Sequence, residues 1–168
     1  PVTTVGAWVR YVRDDDPTDD DTTVLLTHAS GALSVLTVSQ VTGIDEPRMV
    51  LLGTRGALRI DVADSQEPEL AGGADAASSD WGIRAPGTEA LLRTFDDDNT
   101  PTERRVPLEP GAWPQFYAQV ARALRGDAPD PVTMADAIET LRVLDAARLA
   151  SATGTVVTLD PPAAHSVA

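Results

Sequence analysis

RMVLLGTRGALRIDV, residues 48–62, decides the fold class. Arg48 to Leu52 and Ala57 to Val62 are two short β-prone runs joined through Gly53-Thr54-Arg55-Gly56, the punctuation of a hairpin. In the second run Leu58, Ile60 and Val62 alternate with Ala57, Arg59 and Asp61. A period of two puts the first set on one face of a sheet and the mixed set on the other. An antiparallel pair with one apolar face follows.

Working outward from that hairpin, Val2 to Arg13 is rich in Val, Thr, Trp and Tyr and reads as a strand that stops at Asp14-Asp15-Asp16-Pro17. Thr22 to His28 and Ala32 to Gln40 form a second hairpin around Ala29-Ser30-Gly31. On the other side, residues 63–102 turn to Gly, Ala, Ser, Asp and Pro, the composition of a long functional or disordered loop. Short strands are expected at Glu89 to Phe95 and at Glu103 to Leu108.

Two helices follow. The first comes after Pro110-Gly111, with Phe116, Val120, Ala123 and Leu124 on one face, and ends at Gly126. The second starts where Thr133 caps and Asp136 reaches back, runs with Ile138, Leu141, Leu144 and Leu149 inward, and stops at Gly154. Thr155 to Leu159 is a last strand, and residues 161–168 are a flexible tail. The order of elements predicts an α+β fold, an open, largely antiparallel β-sheet backed on one face by two main helices, in one domain over residues 1–160.

Composition removes whole classes of function. The chain has no cysteine, hence no disulfide framework, thiolate nucleophile or cysteine zinc site. All 13 basic residues are arginine, which excludes a Schiff-base or Walker lysine. A formal charge of -13 repels nucleic acid, and no apolar run approaches the ~20 residues of a membrane span. The start, Pro1-Val2-Thr3-Thr4-Val5, has no signal-peptide pattern; it reads as a beginning in mid-fold of a cytoplasmic protein. The acidic run from Asp14 to Asp21 lacks the spaced ladder and closing Glu of a calcium loop and reads as a solvated turn. His28 and His165 have no partner at metal spacing, so no metal is expected.

The ordered set of motifs resembles the C-terminal domain of the Gfo/Idh/MocA oxidoreductases, in particular their scyllo-inositol-dehydrogenase-like branch. PVTTVGAWVR (1–10) and LTVSQVTGIDEPRMVLLGTRGALRID (36–61) are similar to the family's opening strand, Ser-ended strand and Gly-x-x-Gly hairpin. Asp64-Ser65-Gln66-Glu67, followed by Leu70 and Gly72, and then Trp81-Gly82 are similar to the branch's D-x-Q-E and W-G markers. WPQFYAQVARALRGDAPDPVTMADAIETLRVLDAARLASATGTVVTL (113–159) is similar to its closing helices and strand.

The resemblance implies an NAD(P)-dependent oxidoreductase acting on a sugar or cyclitol hydroxyl or ketone. Of such an enzyme this chain would be the substrate-binding and oligomerisation domain. NAD or NADP would be bound by an N-terminal Rossmann domain absent here, since no G-x-G-x-x-G run exists. The family's catalytic lysine has no counterpart in a lysine-free chain. No residue of this chain is therefore expected to be catalytic or cofactor-binding, and the chain alone is expected to be inactive.

The candidate substrate-binding residues are Gln66, Trp81, Trp113, Tyr117 and Ser39. Trp81 stacks on a sugar face or anchors a loop. Trp113 and Tyr117 offer an indole N–H and a hydroxyl at the start of the first helix, or simply pack. Gln66, with Glu67, is a polar pocket residue or structures its own loop. Ser39 ends a strand and has an ordinary sheet-edge reading beside the substrate one. The expected partners are a sugar or cyclitol, the chain's own Rossmann domain, and further copies of itself through the sheet. Two other readings stand beside this one: a stand-alone module binding a small molecule or protein on an open sheet, and a purely structural oligomerisation domain.

Overall fold

The computed structural model describes residues 1–13, 18–62, 64–78, 81–82 and 88–161. The strands are antiparallel, as the alternation demanded, and they divide into two four-stranded sheets in two compact units. The first unit takes Pro1–Gly43 and the chain from Val132 onward; the second takes Ile44–Pro131.

In the first unit β1 (Val2–Arg10), β2 (Asp21–His28), β3 (Leu33–Ser39) and β8 (Val157–Thr158) pair in the order β3-β2-β1-β8. Val5 faces Leu26 and Ala7 faces Val24 across the β1–β2 register, so one face of the sheet carries an apolar stripe. Helix α3 (Met134–Thr153) packs on β1 and covers that stripe. The core is Val5, Ala7, Ala146, Ala147 and Ala150, with Val2, Val24, Leu26, Val143, Val157 and Leu159 around it. The opposite face leaves Trp8, Leu25, Leu33 and Val35 exposed.

The inward face assigned to α3 is corrected. Ile138, Leu141, Leu144 and Leu149 are 45–58% exposed, and the alanines on the other side of the helix are the buried ones. Small side chains let the helix backbone come close to β1, close enough for Ser151 Oγ to accept the Val9 N–H at 2.9 Å. A leucine face would have held it off. The ends of α3 are as read: Thr133 Oγ1 accepts the Asp136 N–H and Asp136 Oδ2 accepts the Thr133 N–H, both at 3.1 Å, and the helix ends at Gly154.

The solvated-turn reading of the acidic run is also corrected where the chain is described; Asp14 to Asp16 lie outside the described residues. Asp20 is only 3% exposed and accepts the Val12 N–H at 2.8 Å and the Arg13 N–H and Nε–H at 3.0 Å. These bonds, the Val12 one foremost, hold its carboxyl below the usual carboxylate value, against the opposing push of desolvation. Asp21, 7% exposed, opens β2 and pairs with Arg10. Both are structural anchors of the β1–β2 connection.

In the second unit β4 (Met49–Gly53), β5 (Gly56–Ile60), β6 (Glu89–Phe95) and β7 (Pro101–Pro107) pair in sequence order. The registers place Leu51, Leu58, Leu92 and Arg104 in one row and Val50, Arg59, Leu91 and Arg105 in the next, alternating between the two faces. Asp96 closes the β6–β7 hairpin by accepting the Asp98 and Thr100 N–H groups at 3.1 and 2.7 Å. Helix α1 (Gln66–Ala71) interrupts the segment read as loop, and α2 (Trp113–Leu124) follows β7. The packed face expected of α2 is incomplete: none of its residues is fully buried, and Leu124 is 84% exposed.

Candidate functional site

The second unit gathers the D-x-Q-E and W-G motifs and the start of α2 around one side chain, Gln66, which is 0% exposed. Asp64 turns back on it: Oδ1 accepts the Gln66 backbone N–H at 3.0 Å and Oδ2 accepts its Nε2–H at 2.6 Å. The other end of the carboxamide, Oε1, accepts the Trp113 backbone N–H at 2.9 Å, meeting one of the donors that the first turn of α2 leaves unpaired. Three residues on, Glu69 Oε2 accepts the Gly82 N–H at 3.0 Å, and the Gly82 carbonyl accepts the Gly111 N–H at 3.1 Å.

Both glycines are required by this packing. A Cβ on Gly111 would sit inside the Gln66 carboxamide and the Asp64 carboxylate, and one on Gly82 would lie 2.9 Å from Gln66 Cγ. Gly82 also has φ +79°, in the left-handed region that L side chains avoid.

Above this polar knot lies an aromatic corner. The rings of Trp81 and Trp113 meet edge to face, 6.0 Å between centroids at 86°. With Leu70, Ala76, Ala77, Pro114 and Tyr117 they line an open cleft of about 630 Å³. That is within the range of roughly 300–1,000 Å³ usual for small-molecule pockets. The Tyr117 ring is braced edge-on by Phe116 at 5.6 Å. Trp81 Nε1 is buried and has no hydrogen-bond acceptor among the described residues, a state that buried polar groups rarely keep.

Of the residues singled out in the sequence, Trp81, Trp113 and Tyr117 come together in the cleft. Gln66 lies beside them with no accessible surface, its amide taken up by Asp64 and Trp113. Ser39 belongs to the other unit, at the end of β3, where its Oγ accepts the Val41 N–H at 3.3 Å. Asp64, Glu69, Gly82 and Gly111 escaped selection as site residues. All but Gly111 stood inside or beside the quoted motifs, but motif spacing does not say which side chain turns inward.

Residues 2–159 match the family profile described as the oxidoreductase family, C-terminal alpha/beta domain, of Gfo/Idh/MocA proteins. The chain belongs to this family. The uncharacterized oxidoreductase YdgJ of Escherichia coli K12 is 25% identical over 111 residues, 66% of this chain and 31% of that protein. The scyllo-inositol 2-dehydrogenase (NADP(+)) IolW of Bacillus subtilis 168 is 30% identical over 84 residues, 50% of this chain and 23% of that one. The solved structure of yvaA from Bacillus subtilis matches with a TM-score of 0.85 at 23% identity, over 94% of this chain and 46% of that chain. At that identity the likeness speaks for the fold. The match thus covers less than half of the solved relative, and the matched segments cover less than a third of each of the two curated ones.

Proposed function

We propose that this Gfo/Idh/MocA domain forms the substrate side of an NAD(P)-dependent oxidoreductase acting on a hydroxyl or ketone of a sugar or cyclitol, and is not catalytic alone. The observation that carries the reading is the cleft. Two indoles and a phenol in an otherwise apolar lining suit the C–H face of a polyol ring, with the exposed Tyr117 hydroxyl available to its oxygens. The name of the Bacillus relative supports the substrate class.

The residues present do not fit a nicotinamide dinucleotide. A pyrophosphate needs a glycine-rich turn opening a helix, and no G-x-G-x-x-G occurs in the sequence. The N-terminus of α3 is already filled by the Thr133–Asp136 box, with a carboxylate where a phosphate would sit. The first N–H of α2 is taken by Gln66. The cofactor and the hydride-transfer groups therefore belong, in this reading, to another part of the protein. This chain binds and orients the ring and, through the uncovered faces of its sheets, joins subunits.

The test is an assay of the full-length protein against sugars and cyclitols, scyllo-inositol among them, with NAD and NADP. Turnover is expected on at least one, with Trp81→Ala and Trp113→Ala each raising KM by about tenfold, the order of a lost aromatic contact, and changing kcat little. Turnover with native KM in both variants would refute the assignment of the cleft.

A further inference from the structure

We propose that Asp64 and Gln66 are positioning residues: a side-chain clamp, half-buried at Asp64 and fully buried at Gln66, that sets the geometry of the Trp81–Trp113 corner. The functional consequence of the clamp rests on the reading of the cleft as a polyol site; the clamp itself does not.

The chemistry of the neighbours leaves the Gln66 carboxamide one orientation. Asp64 offers only acceptors, so the NH2 group must face it; the Trp113 backbone offers only a donor, so the carbonyl must face that. Flipping the amide would set oxygen against carboxylate and N–H against N–H. Asp64 also holds the Gln66 backbone N–H, so the carboxylate fixes both ends of the side chain it orients.

This rotamer and its neighbour Glu69 hold the two sides of the corner. Trp113 is anchored at its backbone nitrogen by the clamp. Trp81 is anchored through the adjacent Gly82, whose N–H goes to Glu69 on the same helix as Gln66 and whose carbonyl goes to Gly111, two residues before Trp113. The edge-to-face contact is therefore held from below on both sides.

A stability role alone does not account for the amide. An apolar side chain of similar volume would fill the space without the desolvation of a buried carboxamide, whereas a fully satisfied polar network specifies orientation. The knot is satisfied at both ends of the Gln66 amide, and no part of Gln66 reaches the cleft surface.

The test uses the whole 168-residue chain carrying Trp8→Phe, which leaves Trp81 and Trp113 as the two indoles of the three in the sequence. Near-ultraviolet circular dichroism reads their coupling, and fluorescence titration with myo-inositol reads the cleft. Gln66→Met, which keeps volume and removes both hydrogen bonds, is expected to keep the far-ultraviolet spectrum and a cooperative melt. It should lose most of the coupled indole signal and weaken myo-inositol binding about fivefold or more, the effect of losing an ordinary hydrogen bond.

Gln66→Glu sets a second carboxyl against Asp64, with Glu69 the other acid on α1 tied into the knot. It should behave like Gln66→Met at pH 7 and regain the native signal toward pH 5, where one shared proton restores a donor to Asp64.

A native indole signal in Gln66→Met overturns the proposal and makes Gln66 core filler. Should Gln66→Met fail to fold, a native signal in both Asp64→Asn and Gln66→Glu at pH 7 overturns it equally. Loss of the indole signal in Gln66→Met, when the parent chain gives no saturable response to myo-inositol, upholds the clamp and removes the polyol reading of the cleft.

Discussion

Replacing Gly82 with alanine should destabilise the second unit by two separable effects. The first is backbone: at φ +79° an L residue sits in the left-handed region, at a cost of about 1–2 kcal/mol. The second is packing. The new Cβ would lie 2.9 Å from Gln66 Cγ, 3.0 Å from the Gly111 carbonyl oxygen and 3.1 Å from Gln66 Cδ, and none of these is the free end of a flexible chain. Overpacking of that kind costs about 1–3 kcal/mol. Gly73 supplies the control, with φ +88° and nothing within 4 Å of an added Cβ, so Gly73→Ala carries the backbone effect alone. The expected losses are about 2–5 kcal/mol for Gly82→Ala and about 1–2 for Gly73→Ala. For a chain of this size that corresponds to midpoint shifts of roughly 4–20 °C and 2–8 °C. Thermal melts followed by Trp81 and Trp113 fluorescence in the Trp8→Phe background read the second unit directly. Equal shifts for the two variants would show that Gln66 yields freely to a new neighbour, and the rigidity attributed to the knot would be refuted.

Two further outcomes are expected. Asp20 has its carboxyl held below the ordinary value, chiefly by the Val12 N–H, so the stability it contributes is present above the unfolded-state value of about 3.9 and is lost as pH falls through the folded one. Asp20→Asn should lower the pH 7 midpoint and flatten the acid limb of the stability profile; an acid limb as steep as the native one would exclude Asp20 as its source. Sedimentation at moderate salt should report a dimer or larger, because Val50, Leu52 and Val35 are exposed on sheet faces and an interface of ~800 Å² per partner would cover such a surface. Val50→Asp or Leu52→Asp should shift the equilibrium to monomer, and a native chain that stays monomeric at high micromolar concentration would count against assembly through the sheet.

Elements with strong local signals were legible in the sequence. Glu89 to Phe95 is a strand with the expected bounds, and Thr133 with Asp136 starts α3 where the capping pattern said. What was not legible depends on partners far along the chain. Alternation assigns a residue to a face but not a strand to a neighbour, so the division into two sheets could not be read from it. Periodicity weights large side chains, so α3 was turned toward its leucines while its alanine face, with equal regularity, made the contact. Helix α1 has only six residues and contains Pro68, too little for a periodic signal. The motif around Gln66 was recognised, but it offered a polar residue near a pocket; that the amide faces inward follows only once Trp113, 47 residues away, is brought to it.

The first unit is closed by the two ends of the chain, with the whole of the second unit in between. On a ribosome this order matters. Strand β1 is made first, yet the helix that covers Val5 and Ala7 begins at Met134. At roughly 5–20 residues per second, β1 and β2 wait on the order of ten seconds with their apolar stripe bare. The second unit carries all of its own strands and can fold during that interval. A nascent chain stalled after Pro131 and before α3 would carry a complete second unit and a sheet whose apolar stripe is still bare, a surface for chaperones to hold until translation delivers α3.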